Sequence, residues 1–462
     1  MRCDVCVIGG GPAGSTIAQR LATLGHDVCL VERQASPRPH IGATLPPSIF
    51  PLLESIGVRD RVEAVGFPRA DRVIVWWADP APMVRERRAA PGFHVDREVF
   101  DRLLVEAAAS SGVRVLQPAH ATRVARMGDG AWRVALCVDG AATEVHAQFV
   151  VDATGDRNIL GGRRLAVAPP LFALYAEWSV DNDRAPAAVE AGEHEWFWCA
   201  PIGAKRFVAA VLMAPERLCD RESIDGMYER VLLGFRLFRP IARRIMSRVH
   251  VCDGSSRRVE ELVGPGFIRV GDAAFTLDPL SSQGVLSAMA SSFQAAIVVN
   301  ALMNDGANTA AMEFYRNQQL ARLEQYSQKT SRSYAQRAAV CGTSFWRDRG
   351  CVDNEAPAVV YETRTLETTC RIELSRGTVF ESVPAIRGDM IAPTLAIRHK
   401  ALDHVVAFVD EVEIAPLLRR IERGQTVESV MRSWSEKLSI DRTKAILAWL
   451  WERRVIVASE VA

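Results

Sequence analysis

The residues best placed to do chemistry are Gly9-Gly10-Gly11-Pro12-Ala13-Gly14, a glycine run set between an apolar segment and one of helical spacing. Asp4 to Ile8 reads as a buried parallel strand, and Ser15 to Leu21 reads as a helix. In such a strand–turn–helix unit Gly9 permits the tight turn, Gly11 lets the backbone approach a pyrophosphate, and Gly14 allows close packing of helix on strand. The N–H groups and positive dipole at the helix start suit phosphates. A second strand, Val28 to Val31, ends at Glu32, followed by Arg33. A carboxylate there accepts hydrogen bonds from ribose hydroxyls and disfavours a 2′-phosphate, and it lies about 20 residues on, as the motif requires.

Two further segments extend this reading. Asp152-Ala153-Thr154-Gly155-Asp156 and Gly271-Asp272-Ala273-Ala274 are flavin-type segments, and with the first they compose one FAD site. A lone glycine fingerprint is weak evidence; three segments in this order point to a redox enzyme.

The elements that must position these residues need a sizeable body, and 462 residues suffice for two or three domains. A net charge of +1 gives no global reason to expect nucleic acid or an anionic membrane as partner. No signal peptide is visible and no run of 18 or more apolar residues occurs, so a membrane span is not expected and a cytoplasmic location is. The ten scattered cysteines fit reduced thiols. Cys3 and Cys6 resemble a redox pair, but positions three apart on a strand point to opposite faces. The nine histidines show no zinc-like grouping, so no metal is expected. Only five residues are lysine (Lys205, Lys329, Lys400, Lys437 and Lys444).

Along the chain, residues 1 to about 35 read as a βαβ unit, followed by a Pro/Gly-rich loop over 37–47 and a helix near 49–56. A strand near 72–77, a helix over 99–109 and a four-strand meander over 114–151 follow. Sequence from about 165 to 255 is β-rich, and the nucleotide-binding pattern returns at Phe267. Long helices are predicted over 284–302 and 309–340. The resulting division is an FAD-binding domain over 1–165 and 256–345, and a substrate domain over 166–255 with parts of 40–95. An extended connecting segment over 346–404 leads to a helical module over 405–462. In that module Thr426 is a predicted N-cap, Gly424 stops a helix over 414–422, and a strand follows near 455.

On these motifs the chain resembles the FAD-dependent monooxygenase superfamily of p-hydroxybenzoate hydroxylase, and especially its halogenase-like branch, over roughly residues 1–340. The resemblance implies an α/β fold with a GR2-type, Rossmann-like FAD domain. It implies that Arg97, in Val95-Asp96-Arg97, contacts the flavin side, that Asp272 lies near the ribityl chain, and that Asp278-Pro279-Leu280-Ser281-Ser282-Gln283-Gly284 passes under the isoalloxazine ring. Trp196-Phe197-Trp198-Cys199-Ala200-Pro201 is close to the halogenase Trp-x-Trp-x-Ile-Pro signature, with alanine in place of isoleucine. Halogenases carry a lysine amine in the N-terminal part of the chain; here no lysine precedes residue 205. Arg69 is the nearest basic residue by position, and a guanidinium does not readily become a haloamine. The C-terminal part looks like a winged-helix-like module of the kind that captures peptides.

Taken together these features resemble the flavoproteins that mature tryptophylquinone cofactors in bacterial amine dehydrogenases and amino-acid oxidases. The implied reaction is hydroxylation of an aromatic side chain, peptidyl tryptophan within a protein or peptide partner, through a flavin C4a-hydroperoxide formed from O2. Hydride would come from NAD(P)H or an external reductase. Asp278, Glu195 and His94 are the candidates for positioning or proton transfer, and Trp196, Trp198 and Arg69 those for substrate contact. Three alternatives stay open: a halogenase, a geranylgeranyl reductase-like oxidoreductase and a non-enzymatic FAD scaffold.

Overall fold

The computed structural model describes residues 1–35, 42–86, 91–181, 186–218, 223–304, 309–350, 366–402 and 404–459. It divides into two compact units, residues 1–352 and 353–462.

The first unit is built on a largely parallel sheet. Its parallel strands run Phe267–Arg269, Ala141–Asp152, Arg2–Ile8, Val28–Val31 and Arg114–Leu116 in spatial order, and Val263–Gly264 adds antiparallel to the first. Val5, Val7, Val28, Leu30, Val150 and Val151 are almost fully buried, as a sheet covered on both faces requires. Register decides where the chemistry collects. Ile8 pairs with both Val31 and Asp152, and Asp152 with Arg269. All three sequence motifs therefore leave the carboxyl ends of adjacent strands side by side, where open α/β sheets bind ligands.

Helix Gly284–Asn304 packs on helix Pro12–Thr23, with Ser292 Oγ donating to the Ala13 carbonyl at 2.9 Å. By length and composition this helix is apolar enough to cross a membrane; here it is a core helix, with most of that stretch buried. Cys3 and Cys6 do not diverge as simple alternation predicts. Both join one apolar cluster with Cys29, because the Asp4 and Val5 N–H groups both donate to the Asp27 carbonyl and the strand is irregular there.

A second, eight-stranded sheet stands beside the first. Strands Phe172–Val180, Arg206–Met213, Glu195–Gly203 and Ala187–Ala191 form its centre, and Arg72–Trp76 and Met83–Glu86 extend it. Period-two alternation gives it two different faces. Phe197, Cys199, Phe207 and Val211 pack under helix Ile224–Gly234, while Trp196, Trp198, Tyr175 and Leu212 face the other way.

The second unit has helices Ala415–Leu418, Val427–Trp434 and Ile440–Glu452 around Trp434, Ile446, Leu447 and Leu450. Thr426 caps the middle helix, accepting from the Ser429 N–H at 3.2 Å. Two features differ from the sequence reading. The first helix is one short turn rather than a run to 422. Residues 371–398 are not an extended connector either: Arg371–Leu374 is the central strand between Gln425–Thr426 and Ile456–Ala458, and Val379–Arg387 and Met390–Arg398 form a hairpin. Ile372 is fully buried in the unit's core, so this strand belongs to the second unit.

Candidate FAD and substrate site

A cavity of about 720 Å³ lies at the carboxyl ends of the parallel strands and runs on to the apolar face of the second sheet. Residues from all three motifs line it: Gly9, Gly11, Pro12 and Ala13; Glu32 and Arg33; Gly155; and Asp272, Asp278, Pro279, Ser282, Gln283 and Gly284, with Arg97.

The glycines divide by what stands in front of them. A Cβ on Gly14 would lie 1.8 Å from the Gly9 carbonyl oxygen, and one on Gly9, whose φ is +109°, would lie 2.3 Å from the Ala153 oxygen. These two are demanded by the protein itself. At Gly11, Gly155 and Gly284 an added Cβ would meet no protein atom within 4 Å, although all three border the cavity; of these Gly155 is also required by its own backbone, with φ of +67°. That open space is what a close-lying cofactor needs. Gly11 caps helix Pro12–Thr23, and Gly284 begins helix Gly284–Asn304, so two helix N-termini bring positive dipole ends to the cavity. Glu32 Oε2 accepts from the Gly10 N–H at 2.6 Å and Oε1 from the Gln34 N–H at 2.8 Å, which fixes the carboxylate at the strand end.

Asp96 caps helix Arg97–Ser110, accepting from the Glu98 N–H. Arg97 then forks onto Asp101, with Nε–Oδ1 and Nη2–Oδ2 both at 2.9 Å. Asp272 lines the cavity with its side chain exposed to that space, and the surrounding protein pushes its carboxyl up, to about 6, against the opposing pull of Arg97.

The far end of the cavity is aromatic and apolar. Trp196 pairs with Leu212 and Leu212 with Ala173, while Trp198 pairs with Val189 and, through Ala210, with Tyr175; these two rows make the wall. Tyr175 stacks on His250, ring centroids 5.2 Å apart and 20° between planes. Asp278 also lines the cavity. It caps the turn Pro279–Ser281, accepting from the Leu280 N–H at 2.9 Å, and burial pushes it up to about 6. None of the five lysines is among the residues that line the cavity.

Six sequence candidates fall outside the lining. Glu195 shares strand parity with Phe197 and Cys199, so it leaves the cavity side and meets Arg217 at 3.4 Å. His94 is a core histidine: burial pushes it down to about 4, and its Nδ1 lies 3.0 Å from Thr44 Oγ1. Arg69 is exposed and lies over the Phe93 ring at 4.4 Å. Asp152 is fully buried and organises the turn after its strand, accepting from the Thr154 N–H and hydroxyl at 3.1 and 2.7 Å. Gly14 and Gly271 serve packing; a Cβ on Gly271 would lie 2.8 Å from that of Ala13. Conversely, Tyr175 and His250 line the cavity without any sequence signal, being brought together by strand pairing across 75 positions.

A cradle with two helix N-termini, an acid fixed at the end of the second strand and three glycines opening on empty space has the features of an FAD-binding site. A family model described as an FAD binding domain matches residues 2–167. The chain is 29% identical to tryptophan 2-halogenase of Chondromyces crocatus over 68% of its own length and 64% of that protein's. It is 28% identical to a 1H-pyrrole-2-carbonyl-[peptidyl-carrier protein] chlorinase of Pseudomonas fluorescens, over 68% of this chain and 79% of the relative. The chain thus spans less than two thirds of the first of these. Among solved structures, the flavin-dependent halogenase CmlS superposes with a TM-score of 0.81 at 20% identity, covering 99% of this chain and 96% of that one. The peptidyl tryptophan dihydroxylase QhpG, essential for tryptophylquinone cofactor biogenesis, superposes with 0.75 at 23% identity, covering 98% and 99%. Residues 2–167 thus carry an FAD binding domain, and the chain is similar in sequence to flavin-dependent halogenases and in fold to solved flavin-dependent halogenases and monooxygenases.

Proposed function

We propose that this protein hydroxylates an aromatic side chain, tryptophan held within a peptide or protein, as a step in making a tryptophylquinone cofactor. The observation that carries this reading is the cavity itself: one continuous space joins the FAD cradle to an aromatic, apolar wall, and no lysine amine lines it. The fold is one that QhpG shares over nearly the whole of both chains, as does the halogenase CmlS, so the absence of a lysine from the cavity lining is what separates the two readings. FAD, reduced by NAD(P)H or an external reductase and reacting with O2, supplies the oxidant. The chain's own residues bind and orient. The glycine turn and helix N-terminus hold the pyrophosphate, Glu32 the ribose, and the Pro279–Gly284 segment the ring system. Trp196, Trp198, Leu212 and Val189 exclude water and seat the substrate ring. Asp278 then accepts the proton released from the attacked carbon. The setting we propose is cytoplasmic.

Halogenation is the second reading, favoured by the halogenase relatives and by the Trp196–Pro201 segment. O2 uptake by the FAD-loaded enzyme with an electron donor tests the choice of substrate. Uptake should rise with tryptophan-containing peptides and not with free tryptophan or pyrrole; stimulation by the free compounds alone would reject the peptidyl reading.

Recruitment of the partner is assigned to the second unit. Cutting at 405 would strand Arg371–Leu374 without both neighbouring strands, so the informative truncation ends the chain near 352. Such a protein should keep FAD and its reaction with O2 while losing partner binding, because remote contacts position a substrate without touching the chemistry. Unchanged binding, read by pull-down with the partner, would show that the unit plays no part in capture.

A further inference from the structure

We propose that Tyr334 is the positioning residue that holds Asp278 as an ionised, cavity-facing carboxylate. The inference rests on the reading of Asp278 as the proton-accepting group and adds how the fold makes it so. Tyr334 lies on helix Thr309–Val340, outside the matched FAD domain, and is buried. Its hydroxyl donates to both carboxylate oxygens of Asp278, at 3.2 and 3.1 Å. With the Leu280 N–H on Oδ1, Asp278 has donors fixed on the protein side while it lines the cavity on the other.

The phenol has little freedom to turn away. Its ring lies 6.2 Å from Trp77 and 5.9 Å from Trp346. Trp77 is tied to the same helix, its Nε1 donating to the Ser333 carbonyl at 2.7 Å while Arg337 donates to the Trp77 carbonyl at 2.9 Å. Arg349 is buried, and its guanidinium donates to the Phe345 and Pro170 carbonyls. No carboxylate ion pair is found for it among the described residues, so its charge favours negative charge on Asp278. Tyr334 and Arg349 are the titratable and charged groups that act on Asp278, and both oppose the desolvation that favours its protonated form. Tyr334 itself is held protonated, pushed well up by burial and by the adjacent carboxylate. A neutral donor suits this place. It stabilises the carboxylate without neutralising it, whereas a directly paired cation would weaken it as a base.

The test is the titration of Asp278, read by NMR on protein carrying ¹³C at aspartate carboxyl carbons, with the Asp278 signal assigned by its loss in Asp278→Asn. Tyr334→Phe keeps the ring and removes both hydrogen bonds. The titration should move up by about one pH unit or more, the value of hydrogen bonds to a charged group. Replacing Tyr334 by 3,5-difluorotyrosine, a stronger donor, should move it down, which a merely structural role would not do. In the FAD-loaded enzyme the acid limb of turnover should follow in the same directions. An unchanged titration in both variants would overturn the proposal. A shifted titration with an unmoved turnover limb would uphold the positioning role and remove Asp278 as the base. Should Tyr334→Phe fail to fold, the fluorinated variant and Arg349→Gln, which should also raise the titration, decide it.

Discussion

Gly11→Val should give a folded protein that purifies without yellow FAD, whereas Gly14→Ala should yield little folded protein at all. The contrast follows from what each missing side chain would meet. A Cβ at Gly11 borders the cavity and meets no protein atom within 4 Å, so the apo fold should melt close to wild-type apoprotein. It does occupy the ground where the pyrophosphate must approach the backbone, and the stabilisation that bound FAD provides should vanish with it. At Gly14 the new Cβ would sit 1.8 Å from the Gly9 carbonyl oxygen, in the contact between helix and strand. Backbone must move there, at a cost of roughly 1–3 kcal/mol or more. Asp272→Ala should also lose FAD while folding. Thermal melts with and without added FAD, together with the flavin absorbance of the purified variants, check all three. Full occupancy in both Gly11→Val and Asp272→Ala would defeat the cofactor assignment.

Asp278→Asn should lower oxygenation by about a hundredfold or more, the usual contribution of a positioned proton-transfer group. The pH profile makes the effect specific. Burial raises this carboxyl to about 6, so the ionised form able to accept a proton prevails above that pH. Turnover should fall about tenfold for each pH unit below it, and the asparagine variant should lack that limb. A wild-type profile without a limb near 6, or an asparagine variant that keeps it, would remove Asp278 from the reaction. Glu195→Gln and His94→Gln should not alter the limb, since neither residue lines the cavity.

What the sequence made readable is local chemistry on a regular frame. Gly9 to Gly14, Glu32, Gly155 and Asp272 could be placed in one site because each follows a strand of apolar residues, and parallel register then brings strand ends together. Trp196 and Trp198 were readable as a pair because alternate residues on a strand share a face. The same rule, applied to Glu195, would have turned it away from them. His94 and Arg69 illustrate another gap: closeness to a motif along the chain says nothing of whether a side chain ends in the core, over a ring or in the cavity. Asp152, Gly14 and Gly271 are in the motifs for packing and turn geometry, which a motif does not separate from ligand contact. Tyr175 with His250, and Tyr334 with Asp278, rest on tertiary pairing between segments 75 and 56 positions apart. Strand Arg371–Leu374 escaped for a similar reason, since both its partners follow it by more than 50 residues.

The central claim is that this flavoprotein inserts oxygen, and not halogen, into a tryptophan held in a polypeptide. Its most direct test is a single incubation of the FAD-loaded enzyme with an electron donor, isotopically heavy O2, saturating bromide and a tryptophan-containing peptide, followed by fragment mass spectrometry. The expected product carries heavy oxygen on the indole and no bromine. A brominated indole without heavy oxygen would contradict the account and return the protein to the halogenases.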